Sequence, residues 1–532
     1  MFKKAPKHPQ TDLLSSVEQH LDERRQKVLH DPNGWQTSFY REIFLNIDES
    51  VFKPMYHSHM GAPNAPVNQL VAMMILKDGT GLSDEQLFEA CRFHLLYRQA
   101  LGCVNLSDRI PTESTYYKFR SDVETYQREH QVDLFGKVFN KITSDQVIRF
   151  SLSGKQIRMD SKLIGSNIAF YSRFQLVHAT TMLFYWDLSE QDRSDMPDAL
   201  ARQMQQMTGE DAESMVYRSS CEQIQDTFID LGRRMQQLLD CYSIDQSRHY
   251  ELLERVFNEQ FTIQLDSGAG SESGDDEGAI ISRPAAEIPA DSVQSPYDPE
   301  CSYRRKAGKP VKGYSLNVTE TIEDDQLNLI TDIQLEPAHC GDADFVEPSI
   351  TQTEKLTGDP VETCYADGAY NRSLEHEDTD DLGHVEMVLS GIQGAPSRFE
   401  LEETSDGVEV TDAQTGQVHQ GIPVRRRDPN GAPRWRITLE DGTYRSFGQR
   451  EIRASKQRRL LAKQGHQERT RRRNNVEASI YHLAHTLKQA KTVYRGLVRT
   501  KLWAWGRALW VNMRRINGYL EEVAPSSKQY AG

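Results

Sequence analysis

The sequence predicts an α/β protein, with a strand-bearing core divided by two insertions and preceded by a helical module. Three observations carry that reading. Apolar residues recur at helical spacing through the first 150 residues. Short apolar runs bounded by turn residues then return near positions 156, 312, 327, 362 and 385. Around these runs lie a long helical stretch, a Ser/Gly-rich stretch and a stretch of apolar-polar alternation. At 532 residues, with 37% hydrophobic and 27% charged, the chain is long enough for several globular domains. No apolar run approaches the ~20 residues needed to cross a bilayer. Met1-Phe2-Lys3-Lys4-Ala5-Pro6-Lys7 carries charge with no apolar segment behind it, so no signal peptide is read and a cytoplasmic location is expected.

Residues 1–150 read as the helical N-terminal domain. Its helices run through Val67 to Leu76 and Leu82 to Leu101, with Ser83 and Gln86 spaced as a capping box, and a third starts after Pro111. In residues 151–172, Gln156-Ile157-Arg158-Met159-Asp160 reads as a strand that delivers an aspartate at its end. Residues 173–265 return to a long helical pattern, a helical insertion. Residues 266–296, rich in Ser, Gly, Asp, Pro and Ala, read as a flexible linker. Order resumes over 297–395. Lys312 to Thr319 and Leu327 to Ile333 form a hairpin around Glu323-Asp324-Asp325, and a helix starts at Asp342. Two strands follow, the first ending in Asp367-Gly368 and the second spanning Val385 to Leu389. Residues 396–449 form a small β-rich insertion. Basic helices over 450–522 complete the core, the last one rich in tryptophan (Trp503, Trp505, Trp510).

Charge and cysteine usage narrow the function. The formal net charge of −15 argues against a nucleic-acid partner only if charge is spread evenly, and it is segregated. Acids gather at Glu272 to Glu277 and Glu375 to Asp381, whereas cations gather between Arg425 and Arg515. Inside that basic region Arg471, Arg472 and Arg473 lead into Glu477, with Lys488 beyond. A lone carboxylate among so many cations is screened or paired unless it holds a metal beside a polyphosphate, and the pattern points to chemistry on nucleic acid. The seven cysteines are scattered with no C-x-x-C pair, so neither a zinc site nor a disulfide framework is expected.

Strand, hairpin, helix, strand, strand, helix is the order of an RNase H-like catalytic core. In that layout Asp160 sits on the first strand, Asp367 at the end of the fourth and Glu477 on the closing helix. Together they could hold two divalent cations, Mg²⁺ or Mn²⁺, about 4 Å apart for an in-line phosphoryl displacement. With 78 acidic residues in the chain, spacing alone leaves rivals: Asp324, Asp325, Asp342 and Asp344.

Several blocks in this order resemble the DDE transposases of bacterial insertion sequences, in the branch with a helical N-terminal domain. They are Met159-Asp160-Ser161-Lys162-Leu163-Ile164-Gly165, Tyr365-Ala366-Asp367-Gly368-Ala369-Tyr370 and Arg473-Asn474-Asn475-Val476-Glu477-Ala478-Ser479-Ile480. Tyr494-Arg495-Gly496-Leu497 and Trp510-Val511-Asn512-Met513-Arg514-Arg515-Ile516 extend the likeness. The resemblance implies an RNase H-like core with a β insertion before the glutamate and an N-terminal DNA-binding domain for transposon ends. It also implies Asp160, Asp367 and Glu477 as catalytic acids and metal ligands. Of the tyrosine, arginine and lysine that surround the glutamate in this superfamily, only Arg473 keeps its place. Thr470 and Ala484 occupy the other two positions, with Lys488 one turn further on. The cysteine cluster that some relatives carry between the second aspartate and the glutamate is absent.

The basic run to Arg473 suits contact with DNA phosphates, and a solvated connector is its plainer reading. Tyr116, Tyr117, Lys118 and Arg120 could face DNA from a recognition helix or simply pack within the bundle. His482 and His485 read as surface or core histidines, and the tryptophans as core. The expected function is a transposase that binds terminal inverted repeats of double-stranded DNA, cuts with two metal ions and transfers the 3′-hydroxyl. A homodimer or larger synaptic assembly would hold two ends. The alternatives are an inactive, DNA-binding regulator and a nuclease of the same fold that never joins strands.

Overall fold

The computed structural model describes residues 1–5, 11–12, 16–57, 63–209, 212, 221–264, 279–306, 308–324, 326–370, 382, 384–389, 397–404, 407–425, 427, 433–440, 442–463 and 466–526. Within its helices, the side chains of 221, 457, 460–474 and 524–526 lie outside that description. The fold is mixed α/β. The N-terminal helices are α1 (Glu23–Leu29), α2 (Trp35–Glu42), α3 (Val67–Thr80), α4 (Asp84–Phe93), α5 (Leu95–Ala100), α6 (Glu113–His130) and α7 (Leu134–Phe150). The Ser83 and Gln86 capping box closes as spaced: each side chain meets the other residue's backbone N–H at the start of α4.

Strand β1 (Gln156–Gly165) is followed by α8 (Arg173–Asp187), α9 (Glu190–Ser194), α10 (Asp198–Thr208), α11 (Cys221–Cys241) and α12 (Tyr250–Gln260). Four of them, α8, α10, α11 and α12, bury their own apolar cluster, including Val177, Phe184, Met204, Met235, Leu253 and Phe257. The linker expected over 266–296 needs correcting. Residues 265–278 lie outside the described residues, but β2 (Phe261–Gln264) pairs antiparallel with β3 (Ala279–Ser282), and Val293 is buried in the same cluster. The Ser, Gly and Asp residues averaged over this window hid a four-residue run, Ala279-Ile280-Ile281-Ser282, long enough to make a short strand.

The central sheet has six strands: β1, β4 (Ser302–Lys306), β5 (Lys309–Thr321), β6 (Ile330–Pro337), β7 (Thr363–Ala366) and β8 (Glu386–Leu389). Its path runs β4-β5-β1-β7-β8, with β6 also paired to β5. The expected hairpin is present: β5 and β6 are antiparallel, with Val318 opposite Ile333. β1 runs antiparallel to β5 but parallel to β7, and β7 parallel to β8. Helix α13 (Val346–Thr357) covers one face, where Ile157 and Met159 pack with Phe345, Val346 and Ile350. A five-stranded antiparallel sheet follows: β9 (Phe399–Thr404), β10 (Gly407–Asp412), β11 (Val418–Val424), β12 (Arg434–Thr438) and β13 (Tyr444–Phe447). The chain closes with α14 (Gln449–Lys463), α15 (His466–Ala484) and α16 (Leu497–Ser526).

Helix α16 decides how the parts join. Leu502, Trp503, Ala504, Trp505, Ala508 and Leu509 are all buried, and a helical stretch with apolar residues on every side must be enclosed. It lies in one continuous cluster with Leu70, Met73, Phe135 and Phe139 of the N-terminal helices and Leu316, Val318, Ile333 and Leu335 of the sheet. Residues 1–150 therefore share their core with the sheet. The tryptophans are packing residues; Trp505 also donates to Asp133 Oδ2 at 2.7 Å, and the Trp510 ring leaves no room for a Cβ at Gly79.

Candidate active site

The site is built at the sheet's centre. The parallel pairing of β1 with β7 runs to Arg158 opposite Tyr365. Asp160 lies two residues beyond that pair on β1 and Asp367 one residue past the end of β7, so the parallel register carries both toward the same end of the paired segment. Asp160 is half-buried and accepts its neighbour Ser161's N–H at 2.9 Å. Asp367, also half-buried, starts a tight turn: its Oδ1 accepts the Ala369 N–H at 2.7 Å and its carbonyl accepts the Tyr370 N–H. The turn folds Tyr370 under the aspartates. Burial pushes the Tyr370 hydroxyl far above its usual range, and the carboxylates of Asp160, Asp342 and Asp367 add to the shift. Both aspartates are thus within electrostatic reach of one hydroxyl.

Helix α15 crosses β1, β5 and β7. Val476, Ser479, Ile480 and Leu483 point into the protein, and Glu477 stands exposed beside that stripe. Among the described residues, no group of three or more His, Cys, Asp or Glu side chains is gathered as a metal site. The register carries the two aspartates to the same end of the β1–β7 pair, and Glu477 sits on the helix that crosses these strands without closing a three-carboxylate set among the described residues.

A buried ion cluster that sequence reasoning missed anchors this helix. Glu320 of β5 is fully buried. It pairs with Arg158 of β1, accepts from Arg515 Nη2 of α16 at 2.8 Å and from Ser479 Oγ of α15 at 2.6 Å. Burial alone would raise the Glu320 carboxyl, but the Arg515 and Arg158 guanidiniums and the Ser479 hydroxyl outweigh it and hold the group below its usual range. Ser479 is two residues from Glu477, so this cluster sets where the glutamate's helix lies. The only signal in the sequence was a lone acid among the β-branched residues of Val318-Thr319-Glu320-Thr321-Ile322.

Arg507 of α16 fixes the far end of α15. It is fully buried and donates to Leu483 O at 2.8 Å, to His482 O, and to Asp78 O and Gly79 O of α3 at 3.1 and 2.5 Å. One guanidinium thus serves the C-terminal carbonyls of two helices, where their dipoles favour a cation. Burial lowers its pKa to about 10. Replacing Arg507 with methionine strands those carbonyls in the core, and a loss of about 3 kcal/mol in urea unfolding is expected.

The remaining expected residues fall as follows. Arg471, Arg472 and Arg473 belong to α15, but their side chains lie outside the described residues. Lys488 is exposed in the turn after α15, which leads to Lys491 bridging to Gly165 at the end of β1. Lys118 is exposed and bound to Asp122 at 2.8 Å. Arg120 lies over Tyr116 and Tyr117, 3.8 Å from Asp84, while Tyr116 is buried. On α6 these cations are tied to neighbouring acids and rings. His482 and His485 sit at the exposed C-terminal turn of α15. Of the rivals, Asp342 pairs with Arg304 at 3.0 Å, Asp344 caps the Gly341 N–H, Asp324 lies in an exposed turn, and Asp325 is outside the described residues. Among the described residues no helix is long and apolar enough to cross a membrane.

Residues 9–122 match the family model described as a transposase domain (DUF772). No curated protein and no solved structure matches the chain. The family match supports a transposase, and such a family implies a DNA-cleaving enzyme in general, with DNA as its partner.

Proposed function

We propose that this chain is a DDE transposase of an insertion sequence, built on an RNase H-like catalytic core, with Asp160, Asp367 and Glu477 as its catalytic acids. The observation that carries this reading is the register that brings Asp160 and Asp367 toward the same end of the parallel β1–β7 pair, crossed by the helix that bears Glu477. The strand path β6-β5-β1-β7-β8, with its antiparallel, antiparallel, parallel and parallel pairings, supports it as the arrangement of an RNase H-like sheet.

The donor chemistry suits a hard divalent cation: two half-buried carboxylates toward one end of the strand pair offer oxygen ligands for Mg²⁺ or Mn²⁺. Glu477 joins them in this reading when end DNA and metal settle against α15. Bound there, two cations would activate the attacking oxygen and offset charge on the leaving one. In the cut, a water oxygen bonds to phosphorus as the P–O3′ bond breaks, releasing a 3′-hydroxyl. In the transfer that hydroxyl attacks a target phosphodiester and displaces its 3′-oxygen. Arg471, Arg472, Arg473 and Lys488 would hold phosphates beside the acids, which positions a duplex without reading its sequence. The N-terminal helices would bind the terminal inverted repeats, with Lys118 and Arg120 on the helix assigned to that contact. Two ends cut together require two copies, so a homodimer or larger synaptic assembly is part of the proposal.

The test is the full chain on labelled duplex from its own element's end, with Mg²⁺, Mn²⁺ or EDTA. Metal-dependent nicking at the element boundary and joined products are expected. Boundary cuts without joining would favour a nuclease of this fold. Specific binding without any cut would leave a DNA-binding regulator.

A further inference from the structure

Tyr370 is the first buried residue after the Asp367 turn, and its hydroxyl begins a continuous polar chain through the core. Ser161, beside Asp160, stands opposite Asn317 across the β1–β5 pair, and its hydroxyl acts on that of Tyr370, opposing the rise in its pKa. Tyr370 in turn donates to Asn317 Oδ1 at 2.6 Å. Asn317 Nδ2 donates to Ser349 Oγ at 3.0 Å, and Ser349 Oγ donates to Asp332 Oδ2 at 2.8 Å. All five residues are buried, Tyr370, Asn317 and Ser349 fully. The direction of the chain is set from its far end. While Asp332 is ionised it only accepts, so Ser349 gives its proton to Asp332 and takes the Asn317 amide hydrogen. That turns the Asn317 oxygen toward Tyr370, whose hydroxyl then donates to it.

Resting on the DDE reading above, we propose that Tyr370 is a positioning residue for Asp160 and Asp367. Its hydroxyl, clamped between Ser161 and Asn317 and oriented by Asp332, sets the spacing of the two aspartates for the cation. The chain spans β1, β5, β6, α13 and the Asp367 turn, so it ties the strand that carries Asp160 to the turn that holds Asp367. Asp332 fits the role of a buried anchor. Burial raises its carboxyl to about 7, hydrogen bonds from Gln334 and Ser349 oppose the rise, and Lys501 of α16 is the charge acting on it.

The experiment compares the wild type, Tyr370→Phe, Asp332→Asn and Ser161→Thr as full chains on end duplex. Cleavage rate is measured across a Mn²⁺ titration, bound Mn²⁺ by electron paramagnetic resonance, and folding by thermal melting. Tyr370→Phe removes one oxygen and leaves the buried Asn317 Oδ1 without that donor, so it is expected to bind the duplex like the wild type and to melt a few degrees lower. Its cleavage should be about 10²-fold slower, the scale of a small misplacement in a reactive geometry. Its half-saturating Mn²⁺ should rise about tenfold, while its bound-Mn²⁺ signal weakens at low Mn²⁺. Asp332→Asn should move in the same direction, and Ser161→Thr, which keeps the donor, should behave as wild type. If Tyr370→Phe or Asp332→Asn matches the wild type in rate and Mn²⁺ requirement, while Asp367→Asn is dead, the positioning role is overturned and the DDE reading stands. A wild type that neither binds Mn²⁺ nor cuts overturns both. If Tyr370→Phe melts far below the wild type, Ser349→Ala takes its place, with the same expectation and the same overturning result.

Discussion

Asp367→Asn is expected to abolish boundary cleavage while leaving end-DNA binding intact. The substitution keeps the side chain's size and its Oδ1 acceptor for the Ala369 N–H, so the tight turn after β7 should survive. What is lost is negative charge toward the end of the strand pair shared with Asp160. Removing one preorganised electrostatic group from a phosphoryl-transfer site costs about 10²–10³-fold in rate, and a metal ligand's loss should reach at least that. Asp160→Asn should match it. Glu477→Gln tests the acid that the fold leaves exposed on α15. A comparable loss would mean that DNA and metal complete the set. Retention of most activity in Glu477→Gln would remove that residue from the site. Gel-shift affinity measured beside cleavage rate separates these outcomes from a folding defect.

Glu320→Ala is expected to be the most destabilising single change at the sheet. It leaves Arg158, buried, and Arg515, partly buried, without their shared carboxylate, and breaking a buried pair in this way costs about 3–5 kcal/mol. Urea unfolding should show the loss. Because the folded Glu320 carboxyl titrates below its ordinary value of 4.5, its contribution is fully present above that value. The contribution disappears as pH falls through the lower, folded value. The stability gap between wild type and Glu320→Gln should therefore narrow only below about pH 4.5. A gap that closes between pH 6 and 8 would contradict this assignment. Since Ser479 also binds Glu320, the same variant should slow cleavage through misplacement of α15.

Both predictions concern acids in strands, yet only one kind announced itself. Asp160 and Asp367 were legible because each follows a short strand-like run, and Asp367 is followed by a glycine that marks a turn, but Asp160, expected at its strand's end, lies inside β1, which continues to Gly165. Glu320 was not legible as a structural acid. Its charge is tolerable only beside Arg158 and Arg515, which are 162 and 195 residues away in the chain. The cations on α6 show the reverse. Lys118 and Arg120 read as a possible DNA face, but the fold sets Asp122 and Asp84 beside them.

The sequence by itself determined what is local. Helical and strand periodicities, the Ser83 capping box, the β5–β6 hairpin and the identities of the candidate acids all depend on residues a few positions apart. Tertiary structure decided what depends on register and shared burial. The parallel pairing of β1 with β7 carries two aspartates 207 positions apart toward one end of the paired segment, because parallel neighbours run in the same direction. The buried stretch of α16 from Leu502 to Leu509 had to be enclosed, and that draws the N-terminal helices and the sheet into one core. Periodicity gives the face a residue occupies within its own element, but only packing decides what meets that face.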